Sequence, residues 1–343
     1  MINTMLLRKA TLAAMFLWSL NSWALPADIQ AAKDEGMRLY NIGQSTTAMT
    51  YLSQAANAGD VESMYYMGEA ERRQHMLGFT NEAMGWYLQA AEQGDPYSML
   101  RLFNGGACLI SDRCPDEGDD WRKATLDVTL PKAEAGDPEA MLALHYIYNT
   151  LNHEWWDAMF NWLGLPTASN KWLERAAEAG LPEAQTILGN HIMNGKGWYF
   201  TKSRRLTAAE KWTERAVEQG YVPAMERMEI IKRKQADFEE SWQWMERASR
   251  EGSVSNRLGL GWCYLDPSYS SDGRCVNEAD LIQGWAILYS LKAELEDNSA
   301  KNIMSRNSDK LTEAERREAE MLAEEEWIGR EPPLSRFPPR FGY

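Results

Sequence analysis

The 343-residue sequence is short of positive charge: 36 lysines and arginines stand against 50 aspartates and glutamates, a net of −14. A nucleic-acid backbone and an anionic membrane surface both reward basic patches, so neither is expected as the main partner. Histidines number only four (His75, His145, His153 and His191) and cysteines only four. Neither type is grouped at metal-ligand spacing, so no metal and no cofactor is expected. Beyond the first 24 residues no apolar run approaches the ~20 residues that a spanning helix needs, and stable membrane insertion is not expected. Catalytic signatures are also missing, with no G-x-S-x-G elbow and no G-x-G-x-x-G after a strand. His153-Glu154-x-x-Asp157 has Asp where a zinc-protease helix carries its second His, and Gly189, Gly195, Lys196 and Gly197 miss the phosphate-loop spacing by one residue. No catalytic residue is assigned, and the expectation is a protein that is not an enzyme. Hydrophobic residues make up 44% of the chain, enough to build a core.

Residues 1–24 read as a secretory signal. Arg8 and Lys9 supply the charged region, Ala10 to Leu20 the short apolar stretch, and Ser22-Trp23-Ala24 the small residues that a signal peptidase reads. Cleavage near Ala24 leaves a chain of net charge −16, suited to a basic protein partner. The expected location is a bacterial periplasm, where disulfides persist. Cys108 and Cys114 have five residues between them, Cys263 and Cys275 eleven. Four cysteines allow three pairings. Pairing of neighbours would staple one local excursion each, at roughly 2–3 kcal/mol on the loop-entropy model.

Tryptophan outnumbers phenylalanine, 15 to 8, and the excess is organised. A pattern W-x-x-x-A-(A/V/S)-x-x-G recurs as Trp86, Ala90, Gly94; Trp172, Ala176, Gly180; Trp212, Ala216, Gly220; and Trp244, Ala248, Gly252. A Tyr version runs from Tyr51 to Gly59 and a degenerate one from Val128 to Gly136. Four residues after each Gly comes a mostly small residue: Ser63, Ser98, Ala140, Ala184, Ala224 and Asn256. Eight after it comes an apolar one: Met67, Leu102, Leu144, Leu188, Met228 and Leu260. Trp and Ala at i and i+4 share a helix face. The Gly stands where a helix end needs a left-handed residue, and Pro96, Pro138 or Pro182 opens the helix that follows. Each unit is a helix–turn–helix that cannot bury its apolar face alone. The predicted fold is therefore all-α, a right-handed superhelical solenoid of about six such repeats with a C-terminal capping helix. The tryptophans are expected to form its core stripe.

The unit Trp172 to Gly197, with Ala176, Ala177, Gly180, Ala184, Leu188, Gly189, Gly195 and Gly197, resembles the Sel-like repeat, a relative of the tetratricopeptide solenoids. Leu260-Gly261-Trp262-Cys263-Tyr264 is similar to another part of the same unit. The resemblance covers roughly residues 30–295. It departs at Ile192, where the family has Tyr, and at Val128, Glu229 and Asn256. It implies a protein-interaction scaffold. Some exported members of the family neutralise phospholipase effectors of type VI secretion, and this chain is similar to them in layout. That likeness implies an immunity protein whose partner is a secreted toxin with a basic contact surface. Two other readings stand beside it: a virulence or envelope-assembly scaffold, and a β-lactam-binding relative. The last is weakened because such relatives carry a Cys pair in nearly every repeat.

The chain divides into a signal peptide (1–24), an N-terminal capping helix (25–50), the solenoid (51–295), an acidic helical cap (296–330) opened by Thr312-Glu313-Ala314-Glu315, and a Pro/Arg/aromatic tail (331–343). That tail cannot be helical and either lies extended on the solenoid or stays free until bound. Two insertions are candidate contact surfaces. One is the acidic loop with Asp112, Asp116, Glu117, Asp119 and Asp120, which lacks the D-x-D-x-D-G spacing of a dedicated calcium loop. The other is the aromatic run Trp155, Trp156, Phe160 and Trp162, whose wide apolar arc suits either a buried helix or a partner hot spot.

Overall fold

The computed structural model describes residues 25–75, 79–103, 121–151, 167–269, 273–276 and 278–341. These hold sixteen α-helices and no β-strand. Helix α1 (Ala27–Asn41) precedes six helix pairs: α2 (Ser45–Asn57) with α3 (Val61–Arg72), α4 (Asn81–Glu92) with α5 (Pro96–Phe103), α6 (Trp121–Glu134) with α7 (Pro138–Leu151), α8 (Ala168–Glu178) with α9 (Pro182–Met193), α10 (Lys202–Val217) with α11 (Val222–Gln235), and α12 (Phe238–Arg250) with α13 (Val254–Leu265). Three further helices close the array: α14 (Leu281–Leu295), α15 (Asn298–Arg306) and α16 (Glu313–Glu326). Neighbouring helices pack in chain order, giving the solenoid. No described helix is long and apolar enough to cross a membrane.

Every pair turns in the same way. Gly59, Gly94, Gly136, Gly180, Gly220 and Gly252 all have φ between 77° and 100°, a region that costs a residue with a Cβ about 1–2 kcal/mol. The N–H of the residue after each Gly returns to the first helix: Asp60 to Ala55, Asp95 to Ala90, Asp137 to Lys132, Leu181 to Ala176, Tyr221 to Ala216 and Ser253 to Ala248, at 2.9–3.2 Å. This bond occupies a carbonyl that would otherwise be left bare at the helix end. The second helix is then capped by Asp60 in α3, Asp95 in α5 and Ser253 in α13, each accepting from a backbone N–H three residues on.

The small and apolar positions after the glycines are all buried, from Ser63 and Met67 to Asn256 and Leu260. The tryptophans are not. Trp86, Trp172, Trp212 and Trp244 are only partly buried and pack on the rim of the core. Fully buried residues of these helices include Tyr87, Leu173, Thr213 and Met245, next to each Trp, together with Ala90, Ala176, Ala216 and Ala248. Three indoles are covered from outside by an arginine one turn on: Arg175 over Trp172 at 4.1 Å, Arg215 over Trp212 at 4.5 Å and Arg247 over Trp244 at 5.1 Å. The stripe of rings is thus an edge seal, with alanines and their neighbours making the centre.

Successive pairs approach closely where α9 meets α10. A Cβ on Gly189 would stand 2.5 Å from the Thr213 hydroxyl. The third pair forms although Pro131 sits inside α6 and Lys132 holds the usual alanine position; Lys132 is exposed and Ala133 is buried. At the far end the side chain of Thr312 accepts the Glu315 N–H and Glu315 returns to Thr312, a complete capping box for α16. Trp327, at the end of α16, is buried under Arg250 at 3.8 Å and Arg257 at 5.1 Å. Cys263 of α13 is disulfide-bonded to Cys275, holding the loop before α14. The segment 1–24, Cys108, Cys114, the acidic loop and the Trp155–Trp162 run lie outside the described residues.

Two glycines separate backbone strain from contact. A Cβ on Gly180 meets nothing within 4 Å, so Gly180→Ala should cost only the left-handed backbone, about 1 kcal/mol. A Cβ on Gly252 would lie 2.6 Å from the Pro333 carbonyl oxygen, so Gly252→Ala should cost clearly more. Urea denaturation midpoints of the two variants check this order.

Candidate functional site

The inner face of the solenoid carries a chain of tyrosines. Tyr65 and Tyr66 come from α3, Tyr97 from α5 and Tyr146 from α7. Their rings meet edge-on or tilted: Tyr65 to Tyr66 at 5.3 Å, Tyr65 to Tyr97 at 6.0 Å and Tyr97 to Tyr146 at 6.2 Å. Tyr40 of α1 joins it through Tyr66 at 5.0 Å. Tyr66 of the first pair also feels the charge of Glu183 in the fourth, and Tyr221, before α11, feels Tyr66. Geometry agrees that distant parts of the array lie close together, since Arg336 bonds both Asn41 O near its start and Asp297 near its end.

Carboxylates stand among the rings. Glu62, Glu139 and Glu183 each occupy the third position after the turn glycine, and Asp95 caps α5 through the Ser98 N–H at 2.7 Å. Burial raises the carboxyl of Glu183 above its ordinary range, with Glu139 adding to the effect. Burial likewise raises Asp95, against the bonds from Ser98 and the charge of Arg340. This is a face that needs positive charge.

The chain's own tail meets that need. After Trp327 the backbone passes the sixth turn, where the Ser335 N–H donates to Gly252 O at 2.9 Å and the Val254 N–H to Ser335 O at 3.1 Å. It then reaches the opposite end of the array. Arg336 donates from its N–H to Asn41 O at 2.9 Å, from Nε to Ile42 O at 3.3 Å, and from its guanidinium to Asp297 at 2.5 Å. Arg340 lies over the Tyr97 ring at 4.6 Å and 3.9 Å from Asp95, while Tyr65 donates its hydroxyl to the Arg340 carbonyl. Phe341 is buried beside Tyr146 at 5.6 Å and Tyr97 at 6.2 Å, with Arg101 across its face at 4.4 Å. Of the two alternatives the sequence left for the tail, the extended one is seen.

Arg101 belongs to a buried ionic cluster. It reaches Glu69 at 2.6 Å, Arg72 reaches the same carboxylate at 2.8 Å, and Tyr87 donates to it at 2.8 Å. Burial opposes charge on Glu69, but the two arginines outweigh it and hold the carboxyl below its usual range. Nearby, between α7 and the start of α8, His145 Nδ1 lies 2.9 Å from the Ser169 hydroxyl, and its ring sits 5.7 Å from that of His191. Burial pulls His145 down to about 4; burial, Lys196 and His145 pull His191 down to about 3. His145 is a buried and His191 a half-buried neutral ring, with no third group completing a catalytic arrangement in the described hydrogen bonds. Among the described residues no group of three His, Cys, Asp or Glu is placed to hold a metal ion.

The partner-contact residues expected from the sequence are not among those described, and the tyrosine face is a separate candidate. The acidic loop Asp112 to Asp120 and the aromatics Trp155 to Trp162 fall outside the described residues. The described tyrosine face went unread because Tyr65, Tyr66, Tyr97 and Tyr146 share no single repeat position. The glutamates at the third position after glycine were a regular signal. A second aromatic feature, exposed Trp198 and Phe200 in the turn after Gly197, also lay in plain view at 82% and 93% exposure.

Five segments match the Sel1 repeat: residues 44–60, 61–95, 166–181, 182–221 and 231–253. The third helix pair falls between the second and third of these. Among solved structures, a protective antigen with an SLR fold from uropathogenic Escherichia coli is 18% identical, over 87% of this chain and 61% of its own, with a TM-score of 0.45. This chain thus spans about three-fifths of that protein's length. A Sel1 repeat protein from Oxalobacter formigenes is 18% identical over 81% of this chain and 99% of its own, TM-score 0.37. An immunity protein from Pseudomonas aeruginosa is 16% identical over 70% and 83%, TM-score 0.43. Comparison with the curated proteins returns no match.

Two measurements probe the buried charges. Glu69→Gln leaves Arg101 buried without its counter-charge and should lower stability by about 3 kcal/mol in urea denaturation. For His145 and His191 the folded state refuses a proton that the unfolded chain accepts near pH 6.5. Their contribution is intact above that pH and lost as pH falls, toward about 4 for His145 and about 3 for His191, at up to about 1.4 kcal/mol per pH unit per ring. The raised carboxyls of Asp95 and Glu183 act in the opposite sense. The test is therefore a difference: His145→Gln should flatten the acid limb of the stability–pH curve relative to the parent chain.

Proposed function

We propose that this chain, five segments of which match the Sel1 repeat, is an exported immunity protein, which binds a secreted toxin of the phospholipase type and neutralises it. At the coarser level the chain is a protein-interaction scaffold. The observation that supports the finer reading is the seating of Arg340 and Phe341 on the inner face, a cation over a tyrosine and a ring beside tyrosines. An acid-rich protein with such a face attracts basic partners from a distance and holds them through buried rings. The secretory pattern of residues 1–24 would place the protein where a delivered toxin meets it. The proposal includes the acidic loop Asp112 to Asp120 and the aromatics Trp155, Trp156, Phe160 and Trp162 as further contacts.

Inhibition then needs no chemistry from this chain; occupying the toxin's substrate entrance suffices. Should the neighbouring gene encode a lipase-like toxin, its expression directed to the periplasm should stop growth, and co-expression of the full chain should restore it. Association should slow at least tenfold between 50 and 500 mM salt, since steering between opposite charges is screened. Full resistance of a strain lacking this gene to sibling toxin would remove the immunity reading and leave the scaffold.

A further inference from the structure

We propose that residues 332–341 are an exchangeable occupant of the inner face, and that this face is made for a partner's extended segment of the same chemistry, an arginine followed by an aromatic ring. The inference rests on reading the inner face as a binding surface, and it names what that surface recognises.

The two ends of the tail are held by different means. Around Ser335 and Arg336 the attachment includes backbone, with a parallel bridge to Ser253 and three main-chain hydrogen bonds, beside the Arg336 side chain's bonds to Ile42 O and Asp297. Around Arg340 and Phe341 it is almost wholly through side chains: the Tyr97 ring, the charge of Asp95, and the pocket of Tyr97, Tyr146 and Arg101. Pro338 and Pro339 lie between and have no N–H to donate. Side-chain contacts of this kind are equally available to another chain carrying Arg next to Phe or Tyr.

The tail also fills the site incompletely. Arg340 lies 3.9 Å from Asp95, beyond hydrogen-bond reach, so the pair is coulombic only. Among the described residues neither Arg340 Nε nor the Tyr97 hydroxyl has a hydrogen-bond partner. To arrive there the backbone passes through Phe337 at φ 45°, a left-handed conformation that a bulky residue adopts only at a cost. A segment entering from another protein is free of that bend and can bring its guanidinium within bonding distance of Asp95. Charge agrees: from Pro332 onward the tail has two arginines and no acid, and Arg340 faces Glu62 and Asp95 as well as Glu183. Tethering gives the tail a high effective concentration, so a competing segment must make better contacts to replace it.

The test uses the full chain and a fluorescein-labelled peptide copying residues 332–341, followed by fluorescence anisotropy. The double variant Arg340→Ala/Phe341→Ala vacates the inner face and should bind the peptide at least tenfold more tightly than the parent chain. A peptide with Ala at the position of Arg340 should lose that binding. Equal affinity for parent and variant, or binding indifferent to the arginine, overturns the proposal. Hydrogen exchange on the parent chain decides independently of how the variant folds. The bonded amides of the tail, Ser335 to Gly252 O and Arg336 to Asn41 O, should exchange well before those of α5; protection equal to that of α5 would mean a permanent part of the fold and would overturn exchangeability. Peptide binding with no toxin neutralisation would remove the immunity reading while keeping the recognition chemistry, and the converse would remove this inference alone.

Discussion

Each helix pair is closed by one hydrogen bond, from the N–H after the turn glycine to a carbonyl five residues back, and the rest of the molecule depends on it. In five of the six turns that carbonyl belongs to an alanine. The same alanine is fully buried, so one residue ends its helix and leaves room for the next. The bond is available only because glycine accepts the left-handed backbone at φ near 90°. With the turn fixed, the second helix of every pair leaves its partner through the same backbone geometry.

Curvature turns separate helix surfaces into a site. Tyr66, Tyr97, Tyr146 and Glu183 lie on different units, and none of them would form a groove on a straight stack. Facing inward, they raise the density of rings and carboxylates together, and burial then makes the acids hard to ionise without a cation nearby. The tail supplies cations from within. Arg336 bridges the first turn at Asn41 and Ile42 to Asp297 beyond α14, so the two ends of the array are tied through the tail. Arg101 links the same face to the buried Glu69 cluster, touching Phe341 on one side and the carboxylate on the other. Arg101 thus contacts both the tail and the ion cluster between the first and second helix pairs.

The repeat offsets translated directly into structure where the requirement was local. Residues four and eight after each glycine are buried in all six copies, even the third, whose Lys132 and Pro131 break the pattern. That copy folds because lysine at the alanine position can point to solvent while Ala133 takes the interior. The tryptophans show the limit of the same reasoning. Spacing put Trp172 and Ala176 on one face, but it did not say which of the two lies deeper. The arginine one turn on, in Arg175, Arg215 and Arg247, settles it: a guanidinium lying over the indole needs water on its other side, so the ring must stay at the rim.

The sequence by itself determined the unit, its turn, its count and the capping box at Thr312, because each depends on residues within a dozen positions of one another. Only the tertiary structure decided that the proline-rich end runs back through the interior and that tyrosines from three units receive its last described arginine and phenylalanine. That outcome depends on the summed rotation of all six turns, where a few degrees per unit separate an open arc from a closed groove, and no single segment of sequence encodes that sum.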